Sequence, residues 1–419
     1  MSNTISNKRP IISREFILVS AIAFLVSFNF LILIAIIPRY AIEVFQMSET
    51  YAGIASGLFV VGMVAARLIT GRYFDKFGFR PMLLAGTIVL VVLSLGYFIA
   101  TIPAALFAIR FFSGFAFGMI SNINVMIISA IIPRERSGEG VGYYSMIPMM
   151  AWAAGPYIGV NLSEAGDYAT IFLLSAILPG IALILIPFLR IKGSTVMTKA
   201  ASIAKESITP SEPDEYLPEP GTKPAKLSIF DQYLERSVLG IAVSVFLQTL
   251  FFTAVSGFAA VYALEFNVSN ISFFFLVFVV ALLATRPLAS KLFDRYNAGT
   301  VIIPCAILII LGFIVFSQMS SFSFVISAAI LFGIGVGGSQ SSHLALTVKT
   351  SPRDRIGTST ATYYVFLDCG GAIGPVIGGL IIELSGYRSM YICGAVVTFI
   401  GLLFFWWFVQ RKKRLSGSS

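Results

Sequence analysis

The 419-residue chain is 57% hydrophobic and only 12% charged, whereas a soluble globular protein carries about 25% charged residues. This composition excludes an ordinary soluble domain and indicates a membrane protein. The net charge of +9 falls in short loops between apolar runs, so it indicates membrane topology and not a nucleic-acid-binding face. The three cysteines have no paired spacing and predict neither a disulfide framework nor a metal site.

Twelve apolar segments are long enough to cross a bilayer, which takes about 20 residues. They cover approximately 16–38, 49–73, 81–101, 104–132, 138–163, 169–190, 236–264, 270–293, 299–318, 322–348, 357–384 and 389–410. The first run is too long for a signal-peptide core, and no small-residue cleavage site follows it. We therefore expect a retained first transmembrane helix and an all-α, multi-pass membrane protein.

The basic residues predict the orientation of these helices. With the N-terminus inside, the cytoplasmic loops and tails hold nearly all of the 29 Lys and Arg residues. The pattern predicts cytoplasmic N- and C-termini in the cell membrane.

A polar, proline-rich stretch divides the chain in the middle. Residues 193–228 cannot bury enough apolar surface to order themselves. We expect a partly disordered cytoplasmic linker at 191–235, between six-helix bundles at 16–190 and 236–410. The cytoplasmic tails are 1–15 and 411–419.

The two halves repeat each other with a shift of 219 residues. The matched blocks are ARLITGRYFDKFG (66–78) with TRPLASKLFDRYN (285–297), PRERSG (133–138) with PRDRIG (352–357), Gly114 and Gly118 with Gly333 and Gly337, and Gly155-Pro156 with Gly374-Pro375. A duplicated bundle can rock about a central site, which is the physical basis of alternating access.

Four stretches carry a family resemblance. The loop GRYFDKFGFR (71–80) resembles the signature of the major facilitator superfamily, although Phe79 replaces a usual basic residue. RFFSGFAFG (110–118) and GYYSMIPMMAWAAGPYIG (142–159) resemble motifs of its drug/proton antiporters. ATYYVFLDCGGAIGPVIGG (361–379) is similar to the eleventh helix of arabinose-efflux-like exporters, a branch that includes opine metallophore exporters. The resemblance implies a fold of two pseudo-symmetric six-helix bundles.

Asp368 is the one acid in the middle of an apolar segment. A charge at that depth costs about 2.5–3.5 kcal/mol on insertion scales, so it should face a cavity or a partner. The position predicts proton coupling or binding of a substrate cation; the alternative is a structural hydrogen bond. The resemblance assigns proton transfer to Arg110 as well, and His343 is a third candidate. For Arg67 and Arg286, snorkelling to the interface and function remain equally open.

Further residues are predicted to line a cavity, form a gate or pack helices. The candidate cavity residues are Asn29, Asn122, Met146, Met149, Gln248, Phe252, Gln340, Tyr363 and Tyr364. The resemblance implies a cytoplasmic gate at Gly71, Asp75, Lys76, Gly78 and Arg80, with Asp294 and Arg295 as counterparts in the second half. Gly155, Pro156, Gly374 and Pro375 are candidate helix-packing residues. For the methionines and Phe252, ordinary core packing is the alternative.

These features predict a secondary active transporter and not an enzyme. No Walker-type nucleotide motif occurs, so we expect no cofactor, and an ion gradient must supply the energy. The preferred hypothesis is proton-coupled export of a small amphipathic or zwitterionic compound by a monomer. The alternatives are an uptake symporter for a sugar or organic acid and a non-transporting membrane receptor.

Overall fold

A computed structural model describes residues 12–133, 136–191, 234–296, 298–352 and 355–416, and within them it contains helices and turns but no β-strand. The helices are α1 Arg14–Ile34, α2 Ile37–Phe45, α3 Glu49–Phe77, α4 Phe79–Gly96, α5 Pro103–Ile131, α6 Ser137–Glu164, α7 Tyr168–Leu185, α8 Leu239–Glu265, α9 Phe273–Arg295, α10 Ala298–Ser317, α11 Phe322–Thr350 and α12 Ile356–Ser416. The all-α prediction is confirmed for these residues. Most of the predicted linker, at 192–233, lies outside them.

The last helix consists of two helical segments. Gly386 has φ +81° and ψ 169°, a conformation that side-chain-bearing residues rarely adopt. It separates residues 356–385 from residues 387–416. By length and composition, ten helices of the described chain could span a membrane, and the range Ile356–Phe408 counts as one of them. Helix α6 is not among the ten; it contains Pro148 and Pro156.

The first predicted segment, 16–38, was wrong at its C-terminal end. Helix α1 stops at Ile34, and a separate short helix, α2, carries Pro38 in its first turn. Proline lacks a backbone N–H and is tolerated in a first turn, where that donor has no helical partner. The chain therefore restarts a helix at this point instead of extending α1.

Close glycine contacts recur in both halves with the spacing of the sequence repeat. A Cβ atom on Gly114 would lie 1.8 Å from the carbonyl oxygen of Phe59, and one on Gly333 would lie 2.5 Å from that of Phe278. Both residues of the first pair precede those of the second by 219 positions. The same relation connects Gly118–Met63 with Gly337–Leu282, and Gly155–Leu31 with Gly374–Leu250. Equivalent helices thus pack in equivalent ways in the two halves.

The two halves meet closely at one end, which we call the closed end. It comprises residues 49–57 of α3 and 372–383 of α12. A Cβ atom on Gly53 would lie 2.1 Å from the carbonyl oxygen of Pro375, and one on Gly57 would lie 2.3 Å from that of Ala372. Thr50 donates a hydrogen bond to Glu383 at 2.5 Å. Backbone contact this tight leaves no passage between α3 and α12.

Toward the opposite end the halves diverge. Tyr143, Met146, Met150 and Tyr157 lie on one face of α6, because their spacing follows the helical period. Tyr157 contacts Phe273 of α9 with ring centroids 5.4 Å apart. The other three side chains are about half exposed. The same face is therefore covered at one end and open at the other, which defines a cavity between the halves.

Candidate functional site

The central feature of the site is an ion pair between the two halves. Asp368 on α12 is only 7% exposed, and its carboxylate accepts a hydrogen bond from the Arg67 guanidinium on α3. A buried carboxylate is tolerated when a cation and a hydrogen bond compensate for its lost hydration. The predicted interior position of Asp368 is thus accompanied by a specific partner from the other half.

The ion pair borders the open cavity. The Arg67 side chain remains 35% exposed although it contacts α12, so its exposed part faces the space between the halves. Tyr364 is 39% exposed and interacts electrostatically with Arg67, Asp368 and Arg286. We refer to Arg67, Arg286, Tyr364 and Asp368 as the charged cluster.

Arg286 differs from Arg67 in having no acidic partner among the described residues. Its Nε atom is buried without a hydrogen-bond partner in that part of the chain. The groups that interact with its charge are the tyrosines Tyr363 and Tyr364. The charged cluster therefore contains two guanidinium groups and one carboxylate.

Sequence reasoning left the roles of both arginines open. Neither hydropathy nor spacing links Arg67 to a residue 301 positions away. One signal was available: the repeat aligns Arg67 with Arg286, each inside an apolar segment. Two arginines kept in register at that depth indicate a site between the halves and not two separate interface anchors.

The structure places Arg110 inside the first half. Its side chain is 1% exposed, its Nε donates to the carbonyl oxygen of Ala55 at 3.1 Å, and its guanidinium lies 4.6 Å from the Phe59 ring centroid. Both partners belong to α3. Arg110 thus fixes α5 against α3, and no described contact joins it to Asp368.

His343 belongs to a separate polar pocket in the second half. Its Nδ1 donates to the backbone oxygen of Ser339 at 2.8 Å, while Nε2 has no partner among the described residues. The Ser339 hydroxyl donates to Gln248 at 2.6 Å. The pocket has a volume of about 20 Å³, which suffices for a single water molecule. It is too small for a substrate.

Several predicted cavity residues come together around this pocket. Gln248, Phe252 and Gln340 line it together with His343. The Tyr363 hydroxyl donates to the backbone oxygen of Gln340 at 3.2 Å, which connects the pocket to the stretch that carries Asp368. These residues lie next to the charged cluster, within the second half.

The remaining predicted cavity residues are dispersed. Asn29 donates to the Ser94 hydroxyl at 3.1 Å and to the Ser175 carbonyl, so it ties α1 to α4 and α7 within the first half. Asn122 is half-buried, and Met149 packs against the hydrophobic core. Met146 remains exposed on the cavity-facing side of α6.

The predicted gate is described only in part. The side chains of residues 71–76, which include Gly71, Asp75 and Lys76, lie outside the described residues. Gly78 has φ +75° and begins the turn into α4. Arg80 donates to the backbone oxygen of Leu189 and so binds the end of α7 within its own half.

In the second half, Asp294 and Arg295 are exposed at the end of α9, and the Arg295 guanidinium lies 5.5 Å from the ring centroid of Tyr296. The gate remains a prediction.

The helix-packing candidates lie at helix crossings. A Cβ atom on Gly155 would lie 2.9 Å from the Leu31 side chain, and one on Gly374 would lie 1.7 Å from the carbonyl oxygen of Leu250. Helices α6 and α12 continue through Pro156 and Pro375.

Two matched helical bundles around a cavity with buried charges define a membrane transporter. The family model of the Major Facilitator Superfamily matches residues 19–363 and 238–419. The chain belongs to this superfamily, as its signature loop predicted. Superfamily members are transporters and not enzymes; they lie in the lipid bilayer and bind small molecules.

Among curated relatives, the multi-drug resistance efflux pump PmrA homolog of Lactococcus lactis is 23% identical over 377 residues, which cover 88% of this chain and 86% of the relative. An uncharacterized MFS-type transporter of Methanocaldococcus jannaschii is 22% identical over 352 residues, covering 83% and 86%.

Two solved structures share the fold. A bacterial homolog of the human lysosomal transporter Spinster, inward-facing and unoccupied, has a TM-score of 0.71 and 14% identity, covering 96% of this chain and 98% of its own. A POT family transporter in complex with a thioalcohol-conjugated peptide has a TM-score of 0.75 and 13% identity, covering 95% and 96%. At these identities the likeness concerns the fold alone.

Proposed function

We propose that the protein is a proton-coupled exporter of a small amphipathic or zwitterionic compound, acting as a monomer in the cell membrane by alternating access. Its twelve membrane helices leave both termini in the cytoplasm. The observation that carries the proposal is the buried Arg67–Asp368 pair, because it joins the two halves through a group that can gain or lose a proton.

The proposed coupling follows from electrostatics. An ionised Asp368 attracts Arg67 and favours contact between α3 and α12. A protonated carboxyl group has no net charge, so the attraction weakens and the two halves separate more readily. Proton binding at Asp368 thereby changes the relative stability of the two conformations. Arg110 and His343, each confined within one half, support the helices around this switch and do not contact it.

The direction of transport is inferred from the closed end. With a cytoplasmic N-terminus, residues 49–57 and 372–383 lie near the extracellular surface. The cavity then opens to the cytoplasm, where an exporter loads its cargo. The printed function of the Lactococcus lactis relative, multi-drug efflux, supports export in the same sense.

The test begins with a thermal-shift screen of purified protein to obtain a ligand, followed by flux measurements in proteoliposomes. We expect an imposed pH gradient to drive the ligand against the direction of proton flow. Movement in the same direction as the proton would establish a symporter instead. Flux that does not respond to the gradient would contradict proton coupling.

A further inference from the structure

The internal repeat leaves one positive charge of the charged cluster unbalanced. Arg67 and Arg286 occupy equivalent positions in the two halves, on α3 and α9. Asp368, on α12, is the partner of Arg67. A shift of 219 residues places Met149, on α6, at the counterpart of Asp368. Because α6 packs against α9, the first half presents a thioether where the second half presents a carboxylate.

An unbalanced guanidinium in this position needs a counter-ion. Arginine stays protonated under all ordinary conditions, so Arg286 cannot escape the cost of its charge by losing a proton. A buried charge without a partner is strongly unfavourable. Its buried Nε has no hydrogen-bond partner in the described part of the chain, and its electrostatic neighbours, Tyr363 and Tyr364, are neutral phenols.

The cavity gives a ligand access to this charge. Tyr364 contributes to the charged cluster and is 39% exposed. Met146 and Met150 are exposed on the facing side of α6 and offer flexible apolar surface. A site with one unbalanced cation, phenol hydroxyls and adaptable apolar walls matches a ligand that has an anionic group and an apolar body.

We propose that Arg286 anchors a carboxylate of the transported compound, across the cavity from the Arg67–Asp368 pair. The guanidinium presents parallel N–H donors that match the two oxygens of a carboxylate. Met146 and Met150 contact the apolar part of the ligand. This inference rests on the proposed export function and assigns its substrate to the amphipathic carboxylates.

The test compares acids with their neutral amides. Full-length protein in lipid nanodiscs, at constant pH and without a gradient, is titrated with three pairs: naphthalene-2-carboxylate and 2-naphthamide, indole-3-acetate and indole-3-acetamide, and N-acetylphenylalanine and its amide. Equilibrium dialysis measures binding. We expect the acids to bind about 10- to 100-fold more tightly, as for hydrogen bonds to a charged group.

Three variants distinguish anchoring from general charge effects. Arg286→Gln removes the cation and should abolish the preference for acids. Met149→Asp keeps Arg286 but supplies the missing carboxylate internally, so the preference should disappear there too. Arg14→Gln makes the same chemical change as the first variant at an exposed site on α1 and should preserve the preference.

The proposal is overturned if no pair shows a preference for the acid in the wild-type protein. It is also overturned if either cavity variant, once folded, keeps the wild-type preference. Because these measurements use no gradient, they are independent of proton coupling. Proton-driven flux without a preference for acids would reject only the carboxylate site, whereas a preference without proton-driven flux would reject only the coupling.

Discussion

Gly53 and Gly57 allow the two halves to close at one end, and a single methyl group at either position should reopen it. In Gly53→Ala the new Cβ atom would lie 2.1 Å from the Pro375 carbonyl oxygen, and in Gly57→Ala it would lie 2.3 Å from that of Ala372. Both obstacles are backbone atoms on α12, which cannot rotate away. The variants should therefore disfavour the closed end without disturbing either half.

The size of the effect follows from these distances. A carbon–oxygen contact requires about 3.3 Å, so α3 and α12 must separate by about 1 Å in each variant. Overpacking of this kind costs about 1–3 kcal/mol. In a two-state transporter that cost shifts the conformational equilibrium by roughly 5- to 150-fold away from the closed end.

Spin labels across the closed end can measure this shift. Tyr51→Cys and Leu384→Cys, in a cysteine-free background, place exposed labels on α3 and α12. We expect a longer inter-label distance to gain population in both alanine variants. Gly180→Ala serves as the matched control, because nothing lies within 4 Å of its new Cβ atom. Folded Gly53→Ala and Gly57→Ala proteins with unchanged distance distributions would refute the reasoning.

Three further predictions concern stability. Arg67→Gln, Asp368→Asn and the double variant should show a coupling free energy of about 1–3 kcal/mol in a double-mutant cycle of thermal unfolding, and additive changes would contradict the ion pair. Asn29→Leu should lower stability by about 1–3 kcal/mol through lost buried hydrogen bonds, with no selective loss of ligand affinity in the same assay. Glu235→Gln should weaken the 2.7 Å pair with Arg355 and lower the unfolding temperature, and an unchanged value would exclude a stabilising role.

The sequence predicted the helices and the repeat well because both depend on local composition. Apolar length defines a membrane helix, and the glycines that recur after 219 residues do form equivalent close contacts. The short helix α2 was missed because apolar residues continue without interruption from α1 to Pro38. Proline at that position was the available signal for a helix restart.

The site was less predictable because side-chain direction depends on neighbouring helices. Asp368 stood out by its depth alone, but its partner Arg67 lies in the other half, and no spacing rule joins them. Asn29 and Arg110 were expected near the cavity or the coupling group. Both instead satisfy contacts inside the first half, because a polar residue in a membrane helix can face either a cavity or another helix.

The most direct test of the account is gradient-driven flux through the Asp368→Asn variant. Asparagine preserves the size and hydrogen-bonding capacity of the side chain but cannot exchange a proton. The protein should insert into proteoliposomes at wild-type levels, yet an imposed pH gradient should no longer drive ligand accumulation. Accumulation at the wild-type rate and extent in this variant would contradict the assignment of proton coupling to Asp368.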